Sequence, residues 1–226
     1  MSNSLLKLVV KFSKDLTEER LAKFRQATKR RQNNLTVILE NVHDHHNISA
    51  VLRTCDSVGI KEIFVLYTQD NLDLTHLKLN KQTSSGARRW VDVNFYTDVD
   101  ACFEHVRQNY DKIYSTHLEE DPTSLYSLDL TVSVALLFGN EHDGVSEAAL
   151  KYSDGNFIIP QMGLVQSLNI SVACAVTIYE ALRQRDLKGM YDEHVPMTME
   201  QQQALYDSFV DRQLNRKKGN IAVKIK

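Results

Sequence analysis

The chain has 226 residues, of which 42% are hydrophobic and 25% charged, as in an ordinary globular protein with one sizeable core. Its longest apolar run, around Val132 to Phe138, is too short to span a bilayer, and the N-terminus lacks the leading charge and cleavage site of a signal peptide. Three widely spaced cysteines indicate neither a disulfide framework nor a CxxC metal site. We therefore expect a cytoplasmic protein with no membrane partner.

The distribution of charge does not decide whether the protein binds nucleic acid. A net charge of −2 argues mildly against such a partner, but the cations concentrate at the two ends of the chain. One group precedes the first strong strand and the other lies near the C-terminus: Lys23, Arg25, Lys29, Arg30 and Arg31, then Arg212, Arg216, Lys217, Lys218, Lys224 and Lys226. This pattern suits an RNA-binding protein with a localised footprint and equally suits solvated helix faces with a charged tail.

The first elements alternate between helix and strand. The spacing of Asp15 and Glu18 predicts a helix N-cap, followed by a helix to about Arg31 with Leu21, Phe24 and Thr28 on one face. The run LTVIL at 35–39 predicts a buried strand. Helical spacing from Ile48 to Val58 ends at Gly59, and another strand follows at 63–66.

The same alternation continues to the C-terminus. We predict a helix at 101–109, strands at 112–115, 132–138 and 157–159, and a short helix capped by Ser146. A long helix follows at 167–185, with an apolar stripe of Leu168, Val172, Val176 and Tyr179. A capping box at Thr198 opens a last helix, with Leu205, Phe209 and Leu214 facing inward. This order predicts an α/β protein with a mainly parallel sheet.

Three segments that follow strands carry unusual residues, and ligands bind beyond the carboxyl ends of parallel strands. In the first, Asn47 and Arg53 lie six residues apart on one helix. An arginine beside apolar residues is costly unless it meets an anion or a polar pocket, or pairs with a nearby acid such as Asp56. The histidines at 43, 45 and 46 suggest a metal, but no matching ligand set follows, so we predict no metal site.

The second and third segments combine glycine with polar residues. Gly139 and Gly144 flank Glu141 in a loop that lets backbone approach a ligand closely, or that is only a structural turn. The third segment passes from a strand through Pro160 and Gly163 to Ser167 and Asn169 at the start of the long helix. Capping accounts for Ser167 alone but not for the whole cluster of polar and small residues.

In this order and at these separations, the three segments resemble the motifs of the SPOUT RNA methyltransferases, and in particular of the TrmH type, the tRNA guanosine-2′-O-methyltransferases. The stretches LTVILENVH (35–43), LRTCDSVG (52–59), VQSLN (165–169) and YEALRQR (179–185) match family signatures nearly letter for letter. The resemblance covers roughly residues 17–191. Two departures are Gln161, where methionine is common, and the stretch 1–14, which has no family counterpart.

The resemblance implies an α/β SPOUT fold with a mainly parallel sheet, a C-terminal deep trefoil knot and helical extensions at both ends. The implied divisions are a helical RNA-binding extension at 1–32, a methyltransferase domain at 33–190 and a basic extension at 191–226. It also implies a homodimer, tRNA as partner and S-adenosyl-L-methionine (SAM) as cofactor. From the residues alone we would predict no knot, because chains almost never thread loops.

Matching the motifs position by position assigns site residues. The implied catalytic positions are Asn47, Arg53, Glu141, Ser167 and Asn169, with Asn47 holding Arg53. The implied cofactor contacts, largely through backbone, are Thr116, Gly139, Ile158, Ser167 and Leu168. The implied RNA-binding cations are Arg25, Arg30, Arg31, Arg183, Arg185 and Lys217.

The resemblance leaves two questions open: the chemical role of Arg53 and the RNA that is methylated. The family proposal makes Arg53 a general base, but a guanidinium stays protonated in nearly any protein setting. We therefore prefer electrostatic stabilisation of the developing alkoxide. The expected product is 2′-O-methylguanosine at position 18 of the tRNA D-loop. Methylation of ribosomal RNA, or RNA binding without catalysis, is the alternative.

Overall fold

The computed structural model describes residues 16–69, 86–117, 122–165 and 167–215, and the backbone of 224–225. Within these ranges the chain forms one sheet of parallel strands. The strands are β1 (Leu35–Glu40), β2 (Glu62–Leu66), β3 (Asp92–Tyr96), β4 (Lys112–Thr116), β5 (Thr123–Ser124), β6 (Val134–Phe138), β7 (Gly155–Ile158) and β8 (Lys224–Ile225). Their order across the sheet is β5-β7-β4-β6-β1-β2-β3-β8.

Six helices connect or flank these strands in the described ranges. They are α1 (Glu18–Lys29), α2 (His45–Ser57), α3 (Val99–Asn109), α4 (Glu147–Leu150), α5 (Ile170–Leu187) and α6 (Met199–Leu214). Each begins where a side-chain oxygen accepts a hydrogen bond from a backbone N–H of its first turn, which satisfies a donor that the helix itself cannot. The α/β class and the mainly parallel sheet predicted from the sequence are confirmed.

Both faces of the sheet are covered, which explains why the central strands are continuously apolar. On one face Val37 and Leu39 pack with α2 and α5. On the other face Ile38 packs with α3 and the apolar residues of β2 and β6. Alternate residues of β1 therefore serve two different cores, as the two-residue repeat of a strand requires. None of the described helices is both long and apolar enough to cross a membrane.

The two terminal helices pack together and share a third apolar cluster. Phe24 of α1 and Phe209 of α6 meet at the ring of Trp90, each with its ring centroid 5.1 Å from that of Trp90. Leu205 is buried in the same cluster, as predicted. The capping box at Thr198 is also confirmed. Helices α1 and α6 thus form a pair that packs against Trp90.

Several sequence predictions of element boundaries need correction. Thr17 caps α1, whereas the predicted cap, Asp15, lies outside the described residues. Helix α5 begins at Ile170 and is capped by Asn169, so Ser167 precedes the helix by two residues. Of the predicted apolar stripe, Val172 and Tyr179 are 46% and 50% exposed. The buried face of α5 instead presents Ile170, Cys174, Ile178 and Ala181.

Two cations predicted to bind RNA are structural. Arg31 is buried and donates hydrogen bonds to the Ile60 carbonyl and the Asp56 carboxylate. Arg185 is fully buried and makes five hydrogen bonds to groups around the starts of β1 and β6. A buried guanidinium that is already hydrogen-bonded inside the protein cannot reach a phosphate. Arg31 and Arg185 are therefore no longer candidate RNA contacts.

Candidate active site at the carboxyl ends of the central strands

The strand register brings the predicted cofactor contacts to one edge of the sheet. β4 pairs with β7 through Thr116 and Phe157, and with β6 through Ser115 and Leu137. Thr116, Ile158 and Gly139 therefore lie at the ends of three neighbouring strands. The Thr116 hydroxyl lies 3.4 Å from the Leu137 carbonyl oxygen. This edge is where the parallel-sheet rule places a ligand.

Three of the predicted catalytic side chains are joined by hydrogen bonds. The Asn47 Nδ2 donates to Oε1 of Glu141 at 2.6 Å, and the Asn169 Nδ2 donates to Oδ1 of Asn47 at 3.2 Å. The Oδ1 of Asn169 caps α5 by accepting from the N–H of Ser171. The start of α2, the loop after β6 and the start of α5 are thus held together by one polar network.

The loop after β6 depends on its two glycines. A Cβ on Gly139 would lie 1.9 Å from the Gly144 carbonyl group, so any side chain there would force the loop open. Gly144 has a φ of 70°, a left-handed conformation that glycine adopts without strain. Between them, Asn140 Oδ1 accepts from the N–H groups of His142 and Asp143. This compact turn presents Glu141 to Asn47.

The loop between β1 and α2 is equally fixed. Asn41 has a φ of 52°, and its side-chain amide exchanges two hydrogen bonds of 2.9 Å with Thr68. The Tyr67 hydroxyl donates to the Val42 carbonyl oxygen at 3.1 Å. Burial raises the pKa of Tyr67 to about 12, so the hydroxyl remains a donor at neutral pH. These contacts set the start of α2 and hence the position of Asn47.

Arg53 is exposed on α2 and, among the described residues, makes no hydrogen bond or ion pair. Its proposed acidic neighbour, Asp56, pairs with Arg31 instead. The expectation that Asn47 holds Arg53 is wrong, because six helical residues correspond to about 240° of rotation and about 9 Å of rise. Asn47 instead contacts Glu141 and Asn169. The guanidinium of Arg53 is therefore available to an anionic group of a ligand.

Of the third segment, Asn169 takes part in this network, whereas Ser167 and Leu168 precede it in the chain. Ser167 is exposed and Leu168 is half-buried, and no hydrogen bond of the described residues involves the Ser167 hydroxyl. The preceding residues Met162, Leu164 and Val165 are 95%, 103% and 68% exposed. The segment thus presents exposed apolar side chains shortly after the end of β7.

The remaining predicted RNA contacts lie on the surface, as far as they are described. Arg25 is exposed, with its guanidinium 5.6 Å from the centre of the Tyr206 ring. Arg30 is exposed and lies 3.7 Å from an Asp192 oxygen. Arg183 is 60% exposed and donates two hydrogen bonds to Glu180, which lower the pKa of that carboxyl. Lys217 lies outside the described residues.

One group of side chains has donor atoms suited to a metal ion. Asp44, His45 and His46 lie at the exposed start of α2, with one ligand atom of each within 4.8 Å of the others. The His45 and His46 rings are tilted by 37° to each other with centroids 4.1 Å apart, and Asp44 already caps α2. The absence of a metal stays a prediction.

Glu40 and Ser146 are functional candidates that the sequence reasoning missed. Glu40 ends the buried strand β1 with no exposed surface, and both of its oxygens accept hydrogen bonds from Ser146. The available signal was a charged residue inside LTVILE, a run that is otherwise typical of a buried strand. An acid at such a position requires polar partners.

Comparison with solved structures first defines the class. The fold is that of an α/β domain with a parallel sheet. The tRNA-modifying enzyme TrmH/SpoU of A. aeolicus superimposes with a TM-score of 0.75 at 32% identity, covering 86% of this chain and 96% of that one. A SpoU methyltransferase from Streptomyces viridochromogenes, in complex with AdoMet, matches at 25% identity with a TM-score of 0.60. That match covers 69% of this chain and 59% of the other.

Sequence comparison then gives the family. Residues 34–179 match the model of the SpoU rRNA methylase family. The tRNA (guanosine(18)-2′-O)-methyltransferase of Thermus thermophilus is 41% identical over 179 residues, which are 79% of this chain and 90% of the relative. The chain belongs to the SpoU methylase family, and the resemblance to TrmH-type enzymes is confirmed.

Proposed function

We propose that this protein transfers a methyl group from SAM to the ribose 2′-hydroxyl of guanosine 18 in tRNA. The observation that carries the proposal is the network of Asn47, Glu141 and Asn169, which joins the three motif segments at the start of α2, the helix that also carries Arg53. The activity of the 41% identical relative supports the same reaction and substrate.

The residues at the sheet edge fit a cofactor bound largely through backbone. Thr116 and Ile158 end two adjacent strands and Gly139 directly follows a third, and the lack of a side chain at Gly139 lets the Gly144 backbone pack against it and shape the loop at this edge. The exposed segment with Ser167 and Leu168 provides further backbone groups at this edge. SAM, when bound, supplies the methyl group, and the AdoMet complex of the Streptomyces relative supports this choice.

The chain contributes orientation and charge to an in-line transfer to oxygen. Arg53 faces the developing negative charge of the ribose oxygen or an adjacent phosphate, and stabilises it electrostatically. Because a guanidinium does not give up its proton near neutral pH, the 2′-hydroxyl proton passes to another acceptor. Asn47, Glu141 and Asn169 fix the relative positions of α2, the β6 loop and α5, and so place Arg53 relative to the sheet edge.

We further propose a C-terminal trefoil knot and a homodimer. The late strand β7 lies between two earlier strands, β5 and β4, an order that is compatible with threading of the C-terminal chain. The exposed apolar face of α5, with Val172 and Tyr179, and the neighbouring Met162 and Leu164 offer a surface for a second copy. Light scattering on the full chain tests this assembly, and a monomer at micromolar concentration contradicts it.

We assign tRNA binding to the terminal extensions, residues 1–32 and 191–226, around the methyltransferase domain at 33–190. Arg25 and Arg30 on or beside α1 are exposed, and α1 packs against α6, which brings the described helices of the two extensions together. Arg183 adds an exposed cation on α5. A tRNA-modifying enzyme of this kind works in the cytoplasm, where its substrate is found.

Methyl transfer from labelled SAM to matched RNAs tests the proposal. The substrates are a tRNA transcript, the same transcript with 2′-deoxyguanosine at position 18, and a ribosomal RNA fragment. We expect label only in the unmodified tRNA, because the deoxy substrate lacks the accepting oxygen. Equal labelling of the deoxy transcript refutes ribose methylation at position 18. Labelling of the ribosomal fragment alone identifies ribosomal RNA as the substrate instead.

A further inference from the structure

Glu40 is a buried acid, and both oxygens of its carboxylate accept hydrogen bonds from Ser146. It has no exposed surface, and no Lys or Arg of the described residues forms an ion pair with it. Its Oε1 accepts from the Ser146 hydroxyl at 2.6 Å and its Oε2 from the Ser146 N–H at 2.9 Å. A buried carboxylate is costly unless hydrogen bonds compensate it. The Ser146 contact is therefore what makes this acid tolerable at the end of β1.

Ser146 in turn fixes the far end of the loop that carries Glu141. Its hydroxyl oxygen caps α4 by accepting from the Ala149 N–H at 3.2 Å. The near end of the loop is held where Gly139 contacts Gly144. The loop is thus anchored at both ends, and its tip places Glu141 at 2.6 Å from Asn47.

We propose that Glu40 is a positioning residue for methyl transfer, acting through Ser146 to hold Glu141 against Asn47. The proposal rests on the proposed function. Glu40 lies beneath the site and contacts Ser146 rather than a substrate, so its effect reaches the reaction through the loop. Displacements of about 1 Å at a catalytic constellation can lower rates about a hundredfold, so a displaced loop has a measurable cost.

The test replaces Glu40 by glutamine in two backgrounds. Glu40→Gln keeps the shape of the side chain but directs an NH₂ group at the donors of Ser146. We measure single-turnover methylation of tRNA with enzyme in excess, for the wild type, Glu40→Gln, Glu141→Ala and the double variant. We expect a loss of at least about tenfold from Glu40→Gln in the wild type. In the Glu141→Ala background we expect less than about twofold, because the group being positioned is absent.

If the role of Glu40 is purely structural, Glu40→Gln should lower the rate by the same factor in both backgrounds, and that result overturns the proposal. An unchanged rate in Glu40→Gln overturns it too.

If Glu40→Gln does not fold, the variants Ser146→Ala and Ser146→Thr test the proposal in its place. The threonine keeps the hydroxyl and should retain the rate within about threefold, whereas alanine should reproduce the background-dependent loss. Equal rates for these two variants also overturn the proposal.

An inactive wild type refutes the proposed function itself. An active wild type in which Glu40→Gln causes the same loss of rate in both backgrounds refutes only the positioning role.

Discussion

Replacing Arg185 by lysine should destabilise the fold rather than weaken RNA binding. The guanidinium donates to the carbonyl oxygens of Leu130, Val132 and Asn34 at 2.8, 2.7 and 3.2 Å. It also donates to the side-chain oxygens of Gln32 and Asn34 at 3.0 and 2.6 Å. Burial lowers the pKa of Arg185 to about 10, so the group is still protonated at neutral pH. Arg185 thereby ties α5 to the segments that lead into β1 and β6.

The expected loss follows from these five hydrogen bonds. A lysine ammonium has three N–H groups, so at least two of the five acceptors lose their donor. Each buried acceptor left without a partner costs about 1–3 kcal/mol, which gives about 2–6 kcal/mol for the substitution. For a chain of this length about 1 kcal/mol shifts Tm by roughly 2–4 °C. We therefore expect Tm to fall by roughly 4–24 °C.

Thermal unfolding of Arg185→Lys, compared with Arg183→Lys, gives a matched test. Arg183 lies two residues away on α5, is 60% exposed and pairs with Glu180 alone among the described residues. Its replacement should change stability by no more than about 0.5 kcal/mol. If Arg185→Lys leaves Tm within about 2 °C of the wild type but weakens tRNA binding, our assignment of Arg185 to the core is refuted.

Three further predictions concern the site, a buried carboxylate and the tail. Arg53→Ala should lower kcat at least about a hundredfold with SAM affinity unchanged, and near-native turnover would contradict this; Arg53→Lys tests whether charge suffices. Burial acts to raise the pKa of Asp154, but hydrogen bonds from Arg107 and the Ile113 N–H lower it overall. Its contribution to stability is present above the ordinary carboxyl pKa and lost as pH falls through the lowered one. Urea unfolding should therefore show Asp154→Asn less stable than wild type at pH 7, with the difference vanishing in acid; a pH-independent difference refutes this. Replacing the three cations at 216–218, outside the described residues, by glutamine should reduce the salt slope of tRNA binding by about 2–3, and an unchanged slope would show that they contact no phosphate.

The fold was predictable where the sequence pattern was strong. Strand β1 and helix α2 lie within a few residues of their predicted positions because their apolar spacing suits one structure only. Strand β3, DVNFY, was missed although Val93 and Phe95 alternate with Asp92 and Asn94, because the alternation covers only four residues. The buried face of α5 could not be read from the sequence, because ISVACAV is apolar on nearly every side.

The sequence predicted which residues belong to the candidate site, but not which of them contact one another. Asn47, Glu141 and Asn169 were all predicted, yet the sequence does not reveal that residues 94 and 122 positions apart share hydrogen bonds. Arg31 and Arg185 were misassigned because arginine is almost never fully buried unless paired. Four of their partners are backbone carbonyl groups, which leave no mark in the sequence, and the side-chain partners of Arg185 are about 150 positions away in the chain.

Mapping the methylated nucleotide tests the central claim most directly. Wild-type protein is incubated with unmodified tRNA and SAM, and the RNA is digested and sequenced by mass spectrometry. We predict one new 2′-O-methylguanosine, at position 18, and none when Arg53 is replaced by alanine. A methyl group on a base, or at another nucleotide, or full modification by the Arg53→Ala variant, would contradict the account.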